Sequence, residues 1–434
     1  MYFLYSFLLT IGFIAMLPLF VLRRGKYAAG FWQKLGFLPE FEPDGRKVLW
    51  LHCVSVGETN AARPLVREIS ENFPEYAIVV STTTKTGQEL ARQVFKSEAA
   101  LVFYFPFDWK FTVRRALKKI KPSVVLLMET ELWFNFLRQA NRSGARIAIV
   151  NGRLSEKSFR RYSYIKKTMR RVLHYVDLAL MQERSDAKRM IELGIRASKV
   201  KVTGNVKFDQ NFEENDVTEY FRARFAISEN SPLIVAASTH APEESFVLQA
   251  FKDVWKNSSD RLPRLLIAPR HPERFEEVFE IVKKSGFDWV RRSEAESTRD
   301  KTAEIILLDS IGELRAVYPL AEIVFVGGSL IPHGGQSVLE PAIARNAIVT
   351  GFYTTNFADI VKEFLKQEAI IQLPGLEERE VSARLAEVFR ELLQNAEKRR
   401  KLSANALGVI QVNRGATRRT IENLKTIFSD SKNQ

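Results

Sequence analysis

From Lys47 onward the chain repeats one pattern, a short apolar run followed by a longer stretch of helical period. The runs are VLWLHCVSV (48–56), YAIVVST (76–82), SVVLLMET (123–130), RIAIVNG (146–152) and LALMQ (178–182). Helical stretches lie between them: one opens at Gly57-Glu58, one starts near Thr86, and ELWFNFLRQANRSG ends at Gly144. Near-continuous apolar strands belong to parallel sheets covered by helices on both faces. The pattern restarts after Asp209 with PLIVAAST (232–239), RLLIAPR (264–270), FDWVRRS (287–293), EIILLDS (304–310) and EIVFVGGS (322–329). The expectation is an α/β chain of two doubly wound, Rossmann-like domains. A polar stretch within residues 206–228 marks the boundary, and amphipathic helices run from about Glu377 to Lys425. Ligands of such sheets bind outside the carboxyl ends of the strands, so the residues just past each strand, facing a cleft between the domains, are the candidates for chemistry.

Ahead of this body, Tyr2 to Leu22 carries no charge, and Arg23, Arg24 and Lys26 follow at once. About 20 apolar residues suffice to cross a bilayer. The trailing positive charge puts the body on the cytoplasmic side. An uncleaved N-terminal anchor is expected, either spanning the membrane or lying in one leaflet. A cleaved signal peptide would carry its charge before the apolar run and small residues after it. The formal net charge of +14 favours anionic partners: nucleic acid, phosphorylated sugars or acidic lipid. Cys53 is the single cysteine, which rules out an intramolecular disulfide. The five histidines form no close ligand pair in sequence and no Asp-x-Asp occurs, so no metal is expected.

Six strand-end segments hold the polar residues that matter. In His52-Cys53-Val54-Ser55-Val56-Gly57-Glu58, the glutamate is either a first-turn acid for the helix dipole or a proton acceptor. In Met128-Glu129-Thr130-Glu131, two carboxylates end a buried strand, where an unpaired charge is costly. Lys207, in TGNVKFD, is either a solvated hinge lysine or a cation for an anionic group. Pro269-Arg270 opens a stiff loop whose guanidinium suits phosphate or carboxylate. Ser310 and Glu313 fit a capping box, which by itself explains both residues. In Gly327 to Pro341, four glycines fall within nine residues ahead of Ser337-x-x-Glu340, in outline a phosphate cradle of backbone amides. No Gly-Lys-Ser/Thr ends it, so it is not a Walker loop.

The order and wording of HCVSVGE, METELW, NGRLSEKSFRRY, TGNVKFD, ASTH, APRHPER, GEL and GGSLIPHGGQSVLEPA closely resemble the bacterial Kdo (3-deoxy-D-manno-octulosonic acid) transferases of lipopolysaccharide assembly. The resemblance runs from the N-terminal segment to about residue 425. It implies a GT-B fold and an inverting, metal-independent transfer from CMP-Kdo to a hydroxyl of lipid IVA at the inner membrane, with no cofactor. It implies Glu58 as general base and Glu131 and Lys207 as groups that stabilise the transition state. Pro269, Arg270, Gly312, Glu313, Leu314, Ser337, Val338, Leu339 and Glu340 match its CMP-binding segments. Residues 1–26 would then be anchor and basic flank, 27–208 the acceptor domain and 209–434 the CMP-sugar domain. The chain departs from the family where Gln336-Ser337 stands for the usual His-Asn and Phe134 for Pro. Arg160, Arg161, Lys166, Lys167, Arg170 and Arg171 are candidates for lipid phosphates or form a solvated face. The alternatives are a GT-B transferase with a UDP-sugar donor and a non-catalytic sugar-nucleotide sensor. Nucleic-acid binding has no recognition motif behind it.

Overall fold

Parallel pairing accounts for the apolar runs. The computed structural model describes residues 1–22, 29–209, 216–228, 231–256 and 262–430. Among these, one sheet holds β1 (Lys47–His52), β2 (Tyr76–Thr82), β3 (Ala99–Tyr104), β4 (Val124–Met128), β5 (Arg146–Gly152), β6 (Leu178–Met181) and β7 (Val200–Val202). Their order is β3-β2-β1-β4-β5-β6-β7, and every described pairing is parallel. Strands β2, β4 and β6 are buried at every position, which requires helices on both faces. The second sheet holds β8 (Leu233–Thr239), β9 (Arg264–Pro269), β10 (Trp289–Arg291), β11 (Ile305–Leu307), β12 (Ile323–Val326), β13 (Ala347–Thr350) and β14 (Ile371–Gln372). Its order is β10-β11-β9-β8-β12-β13-β14. Strands β3, β7, β13 and β14 were not expected from the sequence.

In each sheet the order reverses beside the first strand. β1 lies between β2 and β4, with His52 opposite Leu127. β8 lies between β9 and β12, with Ala237 opposite Val326. A doubly wound sheet opens a crevice at this point, because the helices on either side leave in opposite directions. The residues after β1 and β4, and those after β8 and β12, are therefore brought together.

The chain divides into two units, Met1–Gln210 with the stretch from Asn413, and Asn211–Val412. The expectation of a second domain over 209–434 is corrected at its end. The helix Ala416–Asp430 belongs with the first unit: Asp209 Oδ1 accepts from the Gly415 amide at 2.6 Å, and its Oδ2 accepts from the amide of Thr417. Leu424, Ile427 and Phe428 then join the core that contains Leu49, Leu51 and Val80. Of the expected boundary over 206–228, residues 210–215 lie outside the described residues.

The apolar N-terminal segment is helical over Tyr2–Leu22. Among the described residues no helix is long and apolar enough to cross a membrane, so a spanning anchor is not supported there. Side chains of this helix are described as far as Met16. Arg23, Arg24 and Lys26 lie outside the described residues, as does the side chain of Pro18. One flank of this helix docks on the first unit. Tyr5 Oη donates to Asp108 Oδ2 at 2.8 Å, Asn135 Nδ2 donates to Ser6 Oγ at 3.0 Å, and Trp109 Nε1 donates to Thr10 Oγ1 at 3.1 Å. Tyr5 stacks on Phe134, and Phe13 meets the edges of Phe107 and Trp109. Asp108 also accepts from the amides of Asn135 and Phe136 at 3.0 and 2.7 Å, and burial pushes its carboxyl up to about 7. Phe134 thus packs against the N-terminal helix. Tyr5→Phe removes one hydrogen bond to a buried acid and should cost about 1–3 kcal/mol in a denaturant melt. An unchanged midpoint would show that the helix does not dock.

Candidate active site

In the first unit, the crevice between β1 and β4 gathers carboxylates. Ser55 caps the helix Val56–Asn72, its Oγ accepting from the Glu58 amide at 3.3 Å. Glu58 reaches back, its Oε2 accepting from the Val54 amide at 2.7 Å and its Oε1 from the Ser55 hydroxyl at 3.0 Å. The capping interaction therefore forms, and it holds the same carboxylate at the strand end. Glu58 is 7% exposed. Burial pushes its carboxyl up to about 7 against the pull of the Val54 amide, with Glu129 and Glu131 raising it further. Burial, then Glu129, raises Glu131 to about 7 as well. A carboxylate poised near neutrality can accept a proton at physiological pH.

Lys207 joins this cluster from the turn Val206–Asp209, which Asn151 anchors by accepting the Val206 amide at 3.1 Å. Its Nζ lies 3.0 Å from Oε1 of Glu129, rather than on Glu131. Of the two strand-end carboxylates, the resemblance gave a role to Glu131, but it is Glu129 that meets the cation. The signal for it was present, since a charge closing a strand buried at every position needs a partner.

In the second unit, the ends of β8, β9 and β12 converge. The Arg270 amide donates to the Thr239 carbonyl at 3.0 Å; Pro269 is buried and Arg270 is exposed. Arg315, next after Leu314, pairs with Glu340 at 3.7 Å, which links Gly312-Glu313-Leu314 to Ser337-Val338-Leu339-Glu340. Ser310 Oγ donates to Glu313 Oε2, and Arg292 Nη2 donates to Oε1 at 2.7 Å. Ser337 Oγ accepts from the Leu339 amide at 3.3 Å, while Val338 and Leu339 are buried. The helices that follow, Leu314–Val317 and Leu339–Ile343, are too short to supply the aligned peptide dipoles of an anion site.

The reading of the glycine-rich loop as a phosphate cradle is corrected for its first half. Its amides already hold an anion, the fully buried carboxylate of Glu243. Oε2 accepts from Gly328 at 2.6 Å and His240 at 3.0 Å, and Oε1 accepts from Ser329 and Leu330, both at 2.9 Å. The Gly335 amide then donates to the Gly328 carbonyl at 2.7 Å, carrying the order on toward residues 336–340. Close packing explains the glycines: a Cβ on Gly327 would lie 2.7 Å from the Ser238 carbonyl oxygen. Three histidines distant in sequence also meet here. The His240 ring lies 4.0 Å from that of His333 and 5.2 Å from that of His271. Burial, with these neighbours, holds His240 neutral at about 4. Among the described residues, no group of three or more His, Cys, Asp or Glu is arranged to hold a metal ion.

Comparison with known proteins bears on these sites. A family model described as 3-Deoxy-D-manno-octulosonic-acid transferase (kdotransferase) matches residues 29–210. A 3-deoxy-D-manno-octulosonic acid transferase from Haemophilus influenzae is 32% identical across 96% of this chain and 95% of its own. The chain belongs to the 3-deoxy-D-manno-octulosonic acid transferase family. It is a glycosyltransferase. A bifunctional glycosyltransferase/methyltransferase from Fusobacterium nucleatum is 34% identical over 76% of this chain and 51% of its own. The UDP-GlcNAc 2-epimerase of Neisseria meningitidis shares the fold at a TM-score of 0.59 and 13% identity, over 88% of this chain and all of that one.

Glu243→Ala would leave four amides without their acceptor. It should lower stability by at least about 2 kcal/mol. Formate should restore part of the melting temperature by entering the vacated nest. Formate that acts equally on the parent protein would refute this role for Glu243.

Proposed function

We propose that this transferase moves Kdo from CMP-Kdo to a hydroxyl of lipid IVA with inversion and without a metal. Glu58 takes the proton of the acceptor hydroxyl. The freed oxygen attacks the anomeric carbon of Kdo, the bond to the phosphate breaks, and CMP leaves with the electron pair. A single displacement of this kind inverts the anomeric centre. Glu131 and Lys207 stabilise the charge that develops. CMP is held by Pro269-Arg270, Gly312 to Leu314 and Ser337 to Glu340, with Arg270 supplying a charge-assisted contact to the phosphate. One observation carries the reading: Glu58 is a buried strand-end carboxylate poised at about 7, among two further carboxylates and a lysine. Family membership supports Kdo as the sugar transferred.

The acceptor is an acidic lipid, and we propose that the enzyme works at the cytoplasmic face of the inner membrane. Two surfaces support this. The N-terminal helix leaves Phe3, Leu4, Phe7, Leu8, Ile11 and Ile14 exposed, which suits burial in the interfacial layer of a bilayer. Arg161, Lys166, Lys167, Arg170 and Arg171 are exposed around Tyr164, which suits lipid phosphates. Arg160 is also exposed and pairs with Glu156.

A base must be deprotonated to act, so kcat/KM should rise with pH through about 7 and level off above it. Glu58→Gln should remove that limb and lower turnover at least about 10²-fold while CMP still binds. Near-normal turnover in the variant would reject Glu58 as the base. By calorimetry, CMP should bind more tightly than UDP, and Arg270→Ala should weaken CMP roughly 10-fold or more. Tighter binding of UDP would promote a UDP-sugar donor instead.

A further inference from the structure

We infer that His240 recognises the sugar nucleotide directly: its Nε2 is a fixed acceptor for one hydroxyl of the donor. This rests on the donor site proposed above and adds a residue to it. Two independent observations carry it. The first is how the ring is held. In β8, Ala237 pairs with Ala268 and Thr239 with Pro269, so Ser238 is an extra residue in the strand, with φ 55° in the left-handed region. The Ser238 carbonyl oxygen stands 3.1 Å from Nδ1 of the His240 ring. The backbone at the same point is fixed by Glu243, whose Oε2 accepts from the His240 amide at 3.0 Å. A carbonyl only accepts, so Nδ1 carries the hydrogen and the lone pair of the neutral ring lies on Nε2. Backbone and ring are both set by the protein's own groups, and so is the role of Nε2 as an acceptor.

The second observation is what Nε2 meets. His240 is only 6% exposed, and its Nε2 is buried with no hydrogen-bond partner among the described residues. A buried acceptor without a partner costs stability, and such a group is retained where a ligand uses it. The Arg270 amide donates to the Thr239 carbonyl at 3.0 Å, which sets the loop of the proposed phosphate contact beside this ring. The group that Nε2 takes is therefore a hydrogen-bond donor near a phosphate. In a sugar nucleotide that is a hydroxyl, of the ribose on one side or of the transferred sugar on the other. An anion does not fit: burial, then His333, His271 and Arg270, keep the ring uncharged, so Nε2 has no hydrogen to give. The His333 ring lies over His240 with centroids 4.0 Å apart, and His333 is itself exposed. An exposed side chain changes rotamer readily, so the donor takes the place of that ring.

The test compares two amide side chains on the full chain. His240→Asn puts an amide nitrogen where Nδ1 stands, which keeps the bond to Ser238 and deletes the outer acceptor. His240→Gln puts an amide oxygen at the position of Nε2 and gives up the bond to Ser238. With CMP-Kdo as donor and lipid IVA as acceptor, His240→Asn should lower kcat/KM roughly 10-fold or more, with the melting temperature unchanged. His240→Gln should recover most of that loss even if its melting temperature falls. A residue needed only for packing would give the reverse order. Calorimetry with CMP tells the two hydroxyl sources apart once kcat/KM has fallen: CMP that binds His240→Asn roughly 10-fold more weakly assigns the ribose, and CMP that binds unchanged assigns the transferred sugar. Parent values of both kcat/KM and CMP affinity in His240→Asn would overturn the role. So would activity that follows the melting temperature in both variants, or a loss in His240→Asn that His240→Gln does not lessen. A proton taken up when CMP binds the parent but not His240→Asn, read as a heat that varies with the buffer, would show a charged ring meeting an anion and would equally overturn the acceptor. A parent that transfers nothing from CMP-Kdo rejects the proposed function; an active parent with an unchanged His240→Asn rejects the role of His240 alone.

Discussion

A parallel strand buried on both faces cannot carry charge along its length, and that constraint organises this protein. Strands β2, β4 and β6 are buried throughout. Their polar residues are displaced to the carboxyl ends, where the chain turns over into the next helix. The strand order then decides which ends meet. Because β1 is flanked by β2 and β4, the helix start that holds Glu58 and the turn that holds Glu129 and Glu131 open on one crevice. Because β8 is flanked by β9 and β12, His240, the Arg270 loop and the glycine-rich segment do the same in the second unit. Chemistry at neutral pH follows from the burial around these ends, which lifts both Glu58 and Glu131 to about 7.

The strands that the apolar runs announced are mostly enclosed by neighbours and helices, the edge strand β10 excepted. Those that went unread are marginal: β3 is only partly buried over its first four residues, β7 reads Val-Lys-Val with two exposed positions, and β14 has two residues. β13 (AIVT) is fully buried and as long as β6 and β12, yet it went unread. The N-terminal segment illustrates a different limit. Its apolar composition suited a membrane, yet hydropathy does not distinguish lipid from protein as the surface that covers a face. Tyr5, Ser6, Thr10 and Phe13 face protein, while Phe3, Phe7 and Ile11 remain exposed.

The candidate residues divide the same way. Local signals were legible in part: Glu58 does stand in the first turn of its helix, capped by Ser55, whereas Ser310 and Glu313 meet only through their side chains and form no capping box. Long-range pairings were not. Nothing in the spacing ties Lys207 to Glu129, or Glu243 to the amides of Gly328, Ser329 and Leu330. The glycines of that loop suggested a ligand because glycine clusters often face phosphate. Here Gly327 serves contact between backbones, since a Cβ on it would lie 2.7 Å from the Ser238 carbonyl oxygen, and Gly328, Gly334 and Gly335 supply positive φ. An internal carboxyl group, accepting from the amides of Gly328, Ser329 and Leu330, does for this loop what a bound anion does for a phosphate loop.

The central claim is transfer of Kdo onto a lipid by a strand-end base. It is tested most directly by the mass of the lipid product after the full chain is incubated with CMP-Kdo and lipid IVA. The claim predicts that lipid IVA gains the mass of one or more Kdo units and that CMP is released in equal amount. Lipid IVA left unmodified with CMP-Kdo, but extended when a UDP-sugar is supplied instead, would contradict it.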